Sequence, residues 1–173
     1  MKRYIPVLSI AGSDCSGGAG IQADIKTISA IGCYAMTAIT SLTAQNTTGV
    51  SLIEAVSPEM MSAQLEMIIN DIPPLAIKTG MLCNDCIANI VADRLSKLGD
   101  TKIVVDPVMV STSGSLLLER DAINTITERI FPQATVITPN IHEARELTGT
   151  DDPMRQIEVF RAMGVRNIVL KGG

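Results

Sequence analysis

The stretch AGSDCSGGAGIQAD, residues 11–24, decides how this chain is read. It follows an apolar, β-rich run over residues 5–10 and leads into a helical pattern that begins near Ile21. A strand, a glycine-rich turn and a helix start together hold an anion or a polar ligand. Glycine lets the backbone approach closely, and the first helical N–H groups point at whatever sits there. Gly12, Gly17, Gly18 and Gly20 all fall within this segment. A Walker-type loop needs Lys straight after its last Gly, but Gly17 is followed by Gly18 and Ala19, so that motif is absent. A dinucleotide fingerprint fits the letters of Gly18-Ala19-Gly20-Ile21-Gln22-Ala23. It sits beyond the expected strand end, however, and the acid it needs about 20 residues on falls among Ala38, Ile39, Thr40, Ser41 and Leu42. A tight strand-to-helix connection without ligand stays open, although it needs fewer glycines.

Composition narrows the class. The chain has 173 residues, 46% hydrophobic and 18% charged, which suits one sizeable core and excludes disorder. A net charge of −4, no Lys/Arg cluster and no Trp argue against nucleic acid as a partner. No apolar run approaches a membrane span, and the stretch after Lys2-Arg3 breaks at Gly12-Ser13-Asp14, too early for a signal peptide. Cytoplasmic residence, without membrane attachment, is the expectation. Of the four cysteines, Cys83 and Cys86 form a C-x-x-C near a helix start. Zinc would need further ligands, and the only histidine is the distant His142, so two small apolar side chains near a helix start in a reducing cell are expected rather than a metal or redox pair.

Strand and helix signals alternate along the chain. Strands are expected over residues 4–10, 34–42, 50–56, 75–78, 102–105, 135–138 and 167–170. Helices are expected over residues 21–31, 57–70, 87–98, 122–130, 141–147 and 153–163, with a polar loop at 111–115. Ser57-Pro58-Glu59 reads as cap, first-turn proline and early acid. Met60, Met61, Leu65, Ile68 and Ile69 form a core stripe on the helix that follows. Repeated β-then-α units predict one α/β domain over residues 1–173 with a mostly parallel sheet and helices on both faces. Ligands of such sheets bind beyond the carboxyl ends of the strands. The residues there are Gly12-Ser13-Asp14, Gln45, Lys78, Asp106, Asn140 and Lys171.

Those rim residues lie in a series of segments, AGSDCSGGAGIQAD, TAQNTTGV, IKTGML, VVDPVM, TPNIHEA and VLKGG, that resembles the phosphomethylpyrimidine kinase family of the ribokinase-like superfamily. The match runs in order over essentially the whole chain. The resemblance implies a ribokinase-like fold and phosphorylation of 4-amino-5-hydroxymethyl-2-methylpyrimidine, then of its monophosphate, with ATP and Mg²⁺. It also implies a homodimer. Gln45 would read the pyrimidine edge, and a carboxamide suits that task because it pairs one acceptor with two donors. Gly12, Ala19, Asp24, Met81 and Val108 would line the same pocket, Ala19 through its backbone and the last two as apolar walls. Asn140 and Lys171 would contact nucleotide phosphates, and Asp106 and Glu143 would serve Mg²⁺. Plainer roles exist beside these. Gln45 could be a solvated loop residue, Asp24 could favour the helix dipole, and Asn140-x-x-Glu143 has the layout of a capping box.

The chain departs from the family pattern in two ways. Cys15 stands where relatives usually have proline, and Thr79 where a β-branched apolar residue is common. Relatives continue past VLKGG into a segment that carries a Gly-Thr-Gly anion hole and the catalytic residue, and no Gly-Thr-Gly occurs here. The expectation is therefore a domain truncated after a final strand at Lys171-Gly172-Gly173, inactive by itself, with no catalytic residue of its own. Three other functions compete: pyridoxine/pyridoxal kinase, a non-catalytic pyrimidine-binding fragment, and a nicotinamide-dependent oxidoreductase already weakened by the missing acid.

Overall fold

Leu8, Ser9, Ile10, Ala11 and Gly12 are buried one after another. Such a run marks a strand covered on both faces, at the centre of a sheet. The computed structural model, which describes residues 4–109 and 120–172, places it so. Its elements are β1 (Pro6–Asp14), α1 (Gly20–Ala30), β2 (Tyr34–Asn46), β3 (Gly49–Ala55), α2 (Pro58–Asp71), β4 (Ala76–Thr79), α3 (Asp85–Leu95), β5 (Lys102–Val105), α4 (Arg120–Thr125), β6 (Val136–Ile137), α5 (Ile141–Thr148) and α6 (Pro153–Ala162). The strands form one sheet in the order β3-β2-β1-β4-β5-β6. All neighbours are parallel except β2 and β3, an antiparallel pair at one edge. β1 pairs with β2 on one side and β4 on the other. Connections diverge at that point, and there the carboxyl ends of an α/β sheet open a crevice.

The core follows from the sheet. Leu8, Ile10, Ile77, Ile103, Val105 and Ile137 join Met61 and Leu65 of α2 and Ile87 and Val91 of α3 in one buried cluster. Of the expected stripe on α2, Met61 and Leu65 are fully buried and Ile68 and Ile69 pack against the core half-buried, whereas Met60 is exposed. Phe131 and Phe160 meet edge to face, centroids 6.2 Å apart, and tie α6 to the turn before β6. The start of α2 is as expected, with the Ser57 hydroxyl accepting from Met60 N. No helix among the described residues is long and apolar enough to cross a membrane.

Several expectations are corrected. β1 does not end at Ile10 but runs to Asp14, and β2 runs to Asn46, so residues expected to form loops are strand. The helix expected over residues 122–130 passes from α4 into a π-turn at Ile126–Ile130 and a 3₁₀ turn at Phe131–Gln133. The final strand expected before Lys171 reduces to isolated bridges, Ile137 with Ile168 and Asn140 with Lys171. Pro139 explains this. Ile137 N donates to Asn167 O, Val169 N to Ile137 O and Lys171 N to Pro139 O, but proline has no N–H to return the next bond. None of the cysteines is disulfide-bonded; Cys83 is half-buried and Cys86 exposed. The loop expected at 111–115 lies outside the described residues.

Candidate substrate site at the sheet rim

The glycine-rich segment holds an anion, and the anion is its own. Asp14 closes β1 and is 2% exposed. Its Oδ2 accepts from Gly18 N at 3.0 Å and Ala19 N at 2.8 Å, and its Oδ1 accepts from the Ser16 backbone and hydroxyl. Burial alone would raise its pKa. The hydrogen bonds from Ser16, Ala19 and Gly18 outweigh burial and hold the carboxyl below its ordinary value. The expected anion-holding loop is thus real in geometry but filled from within, and the Ala19 N–H is committed to Asp14.

Two glycines allow this architecture. Gly20 adopts φ +57°, and a Cβ there would lie 2.4 Å from the Gly12 carbonyl, so α1 starts in direct contact with β1. A Cβ on Gly12 would lie 2.5 Å from Met81 Cε, so the absence of a side chain lets Met81 lie against the strand. Beside them a cavity of about 300 Å³ opens at the divergence of β1 and β4. Of the residues singled out from the sequence, Gly12, Ser13, Asp14, Ala19, Asp24, Gln45, Lys78, Met81, Asp106 and Val108 line it. Asn140, Glu143 and Lys171 lie outside its lining, although Lys171 reaches toward it by pairing with Asp106.

β2 delivers Gln45 through an irregularity. Its register against β1 slips between Ala11 and Ser13, so that β2 has one residue more than β1 there. The buried positions of β2 accordingly shift from Met36, Ala38 and Thr40 to Ser41 and Thr43. Such a bulge re-aims the side chains beyond it. Thr43 and Gln45, two apart on the strand, both face the cavity. The Thr43 hydroxyl lies 2.7 Å from Ser13 O and 3.3 Å from Gln45 Oε1. Cys15 clasps the same strand end, its Sγ donating to Gln45 O at 3.1 Å and accepting from Gln45 N at 3.4 Å.

Two ion pairs face the cavity. Lys78 of β4 donates to Asp24 Oδ2 at 3.0 Å, and the Ser9 hydroxyl donates to the same oxygen. Lys171 Nζ meets Asp106 Oδ1 at 2.6 Å, and Thr138 Oγ1 lies 3.3 Å from that oxygen. Behind this second pair, Asn140 and Glu143 complete the capping box of α5. Asn140 Oδ1 accepts from Glu143 N at 2.9 Å, and Glu143 Oε2 accepts from Asn140 N at 2.8 Å. Glu143 is 5% exposed, and its pKa is raised. Burial is the main cause and the Asp106 charge adds to it, against the Asn140 and Met109 N–H groups and Lys171. No cluster of three or more potential metal ligands occurs among the described residues. Asp106 and Glu143 are close enough to feel each other's charge. That donor set fits a Mg²⁺ ion shared with phosphate and water oxygens, not a closed protein cage.

Lys78, expected at the rim from its place at a strand end, lines the cavity. Thr43 is the residue that sequence reasoning misses: its polar neighbours read as a loop, and only an extended β2 shows it two residues from Gln45 on one face.

A mostly parallel sheet with one antiparallel edge and a cavity at its central divergence, superposing on solved kinases of this fold, makes this a ribokinase-like α/β protein. The family model for phosphomethylpyrimidine kinase matches residues 14–173, and the chain belongs to that family. A hydroxymethylpyrimidine/phosphomethylpyrimidine kinase of Rhizobium meliloti is 45% identical over 172 residues, covering 96% of this chain and 64% of the relative. The chain thus spans less than two thirds of that relative's length. The crystal structure of phosphomethylpyrimidine kinase from Clostridium difficile superposes with a TM-score of 0.88 at 44% identity, covering 98% of this chain and 75% of that one. Pyridoxal kinase from Staphylococcus aureus, solved with AMP-PCP and pyridoxal, gives 0.87 at 31% identity, covering 99% of this chain and 64% of that one.

Proposed function

We propose that this chain forms the acceptor-binding part of an ATP-dependent kinase of thiamin biosynthesis. Its substrates are 4-amino-5-hydroxymethyl-2-methylpyrimidine and the corresponding monophosphate. The observation that carries the proposal is the cavity in which Gln45, Met81 and Val108 gather at one rim beside the Asp106–Lys171 pair. Its volume, about 300 Å³, suits a single small ring. Met81 and Val108 form apolar walls for the ring faces, and the Gln45 amide pairs with the ring nitrogen and exocyclic amine. Asp24, steadied by Lys78 and Ser9, accepts a hydrogen bond from the acceptor.

On the phosphate side, Lys171 offers a cation whose resident partner, Asp106, a phosphate would replace or share. Asn140, the cap of α5, also forms a backbone bridge with Lys171 and so lies beside that cation. Asp106 and Glu143 are the residues that would hold Mg²⁺. The ion, when bound, neutralises charge on the transferring phosphoryl group. The single-domain organisation and cytoplasmic residence expected from the sequence, and the homodimeric assembly implied by the resemblance, belong to the same proposal. So does its finer part: residues 1–173 bind acceptor without turning it over, since they contain no Gly-Thr-Gly segment.

A second reading, pyridoxine or pyridoxal as acceptor, is favoured by the likeness to the Staphylococcus aureus pyridoxal kinase. Calorimetric titration with the aminopyrimidine alcohol and with pyridoxine separates the two. The aminopyrimidine is expected to bind more tightly, and a preference for pyridoxine would transfer the proposal to the second reading. A single-turnover assay with ATP and Mg²⁺ is expected to show no transfer. Phosphorylated product would contradict the finer part.

A further inference from the structure

A glutamine amide has two ends of nearly equal shape and opposite hydrogen-bonding character. Free to rotate, it pairs equally well with a donor–acceptor edge or with its reverse, and it selects between ligands only if a neighbour fixes it. In this cavity the neighbour is Thr43. Its hydroxyl has one proton and two candidate acceptors, Ser13 O at 2.7 Å and Gln45 Oε1 at 3.3 Å. The shorter contact takes the proton, since 3.3 Å is long for O–H···O. The oxygen therefore meets the amide with lone pairs, and the amide end that suits lone pairs is the N–H of Nε2.

We infer that Thr43 is a specificity-determining residue: it accepts from Gln45 Nε2 and so fixes which end of the amide faces which side of the cavity. The N–H used is the one remote from Oε1. Oε1 and the remaining N–H stay side by side, an acceptor–donor edge of fixed polarity. Three further contacts keep the arrangement rigid. The Ser13 hydroxyl accepts from Gln22 Nε2 at 2.9 Å, Gln22 Oε1 accepts from Asp14 N at 2.8 Å, and Cys15 clasps the Gln45 backbone on both sides. A fixed polarity selects the ligand edge and also how the ring lies. An aminopyrimidine carries its amine beside the carbon that bears the hydroxymethyl group. Only one orientation of the amide then allows both hydrogen bonds while the alcohol faces the Asp106–Lys171 side.

This inference rests on the reading that Gln45 meets the ring, and the test separates the two. The 173-residue chain is titrated calorimetrically with 4-amino-5-hydroxymethyl-2-methylpyrimidine and with its 4-oxo analogue, whose edge has the opposite polarity. Wild type is expected to prefer the amine by about 30-fold or more, because against the oxo edge the amide N–H faces a donor and Oε1 faces an acceptor. Thr43→Val, matched in shape but unable to accept, is expected to bring the two within about threefold. Thr43→Ser should restore the preference, and thermal melting confirms that the variants are folded. If Gln45→Ala binds both compounds as wild type does, the reading of the site fails. If Gln45→Ala loses the preference while Thr43→Val keeps it, the role of Thr43 is overturned and the site survives.

Discussion

Glu143 carries opposing demands in one side chain. As the third residue of α5 it must accept from Asn140 N to close the capping box, yet it is buried beside Asp106. Burial first, then Asp106, raise its pKa above the ordinary 4.5. Between that value and the raised one, the folded chain holds more protons than the unfolded chain, so this group's contribution to stability falls as pH rises through the window. Glu143→Gln keeps an acceptor for the cap and removes the titration. The urea midpoint of wild type is expected to fall relative to that of Glu143→Gln as pH is raised from 4.5, and parallel profiles would refute the assignment. Much of this was legible: Asn140-x-x-Glu143 announces a capping box by spacing alone. The surroundings of Glu143 were not, because the Met109 N–H, Asp106 and Lys171 come to it from distant parts of the chain and meet only in the fold. Gln45 was legible by resemblance. Thr43 was not, because a bulge rather than a motif turns it into the cavity.

Elements were legible where local signals agreed. β5 spans the residues read for it, and the Ser57 cap marks the start of α2. Sequence reasoning missed where tertiary pairing overrode local chemistry. Gly12-Ser13-Asp14 looks like a loop but is held extended by β2, and the segment before Lys171 looks like a strand but loses its ladder at Pro139. The contact between β1 and α1 is the most demanding junction between elements. Gly20→Ala places a side chain at φ +57° and a methyl 2.4 Å from Gly12 O. The combined strain and displacement of α1 should cost about 2–4 kcal/mol, read from denaturant unfolding. A loss below about 0.5 kcal/mol, the range of neutral surface changes, would show that α1 can move off the strand. The same variant should weaken acceptor binding, since Ala19, Ala23 and Asp24 shift with the helix.

At the scale of the whole molecule, the sheet order β3-β2-β1-β4-β5-β6 places one opening at its centre, and β1, β2, β4 and the segment after β5 each contribute residues to it. Alternation of strand and helix signals foretold a parallel sheet, but it could not foretell that β3 turns back antiparallel at the edge. That follows from the short turn between Asn46 and Gly49, where Asn46 Oδ1 accepts from Thr48 N and Gly49 N. The ion held inside the glycine-rich segment has a kinetic meaning. Where a loop closes only on an arriving phosphate, that closing limits the speed of capture. Here Asp14 already plays that part, so the entrance is set before any visitor comes. Stopped-flow mixing with the aminopyrimidine alcohol should then give an observed rate that climbs in proportion to concentration without levelling off. A plateau would mean that the gate moves after all.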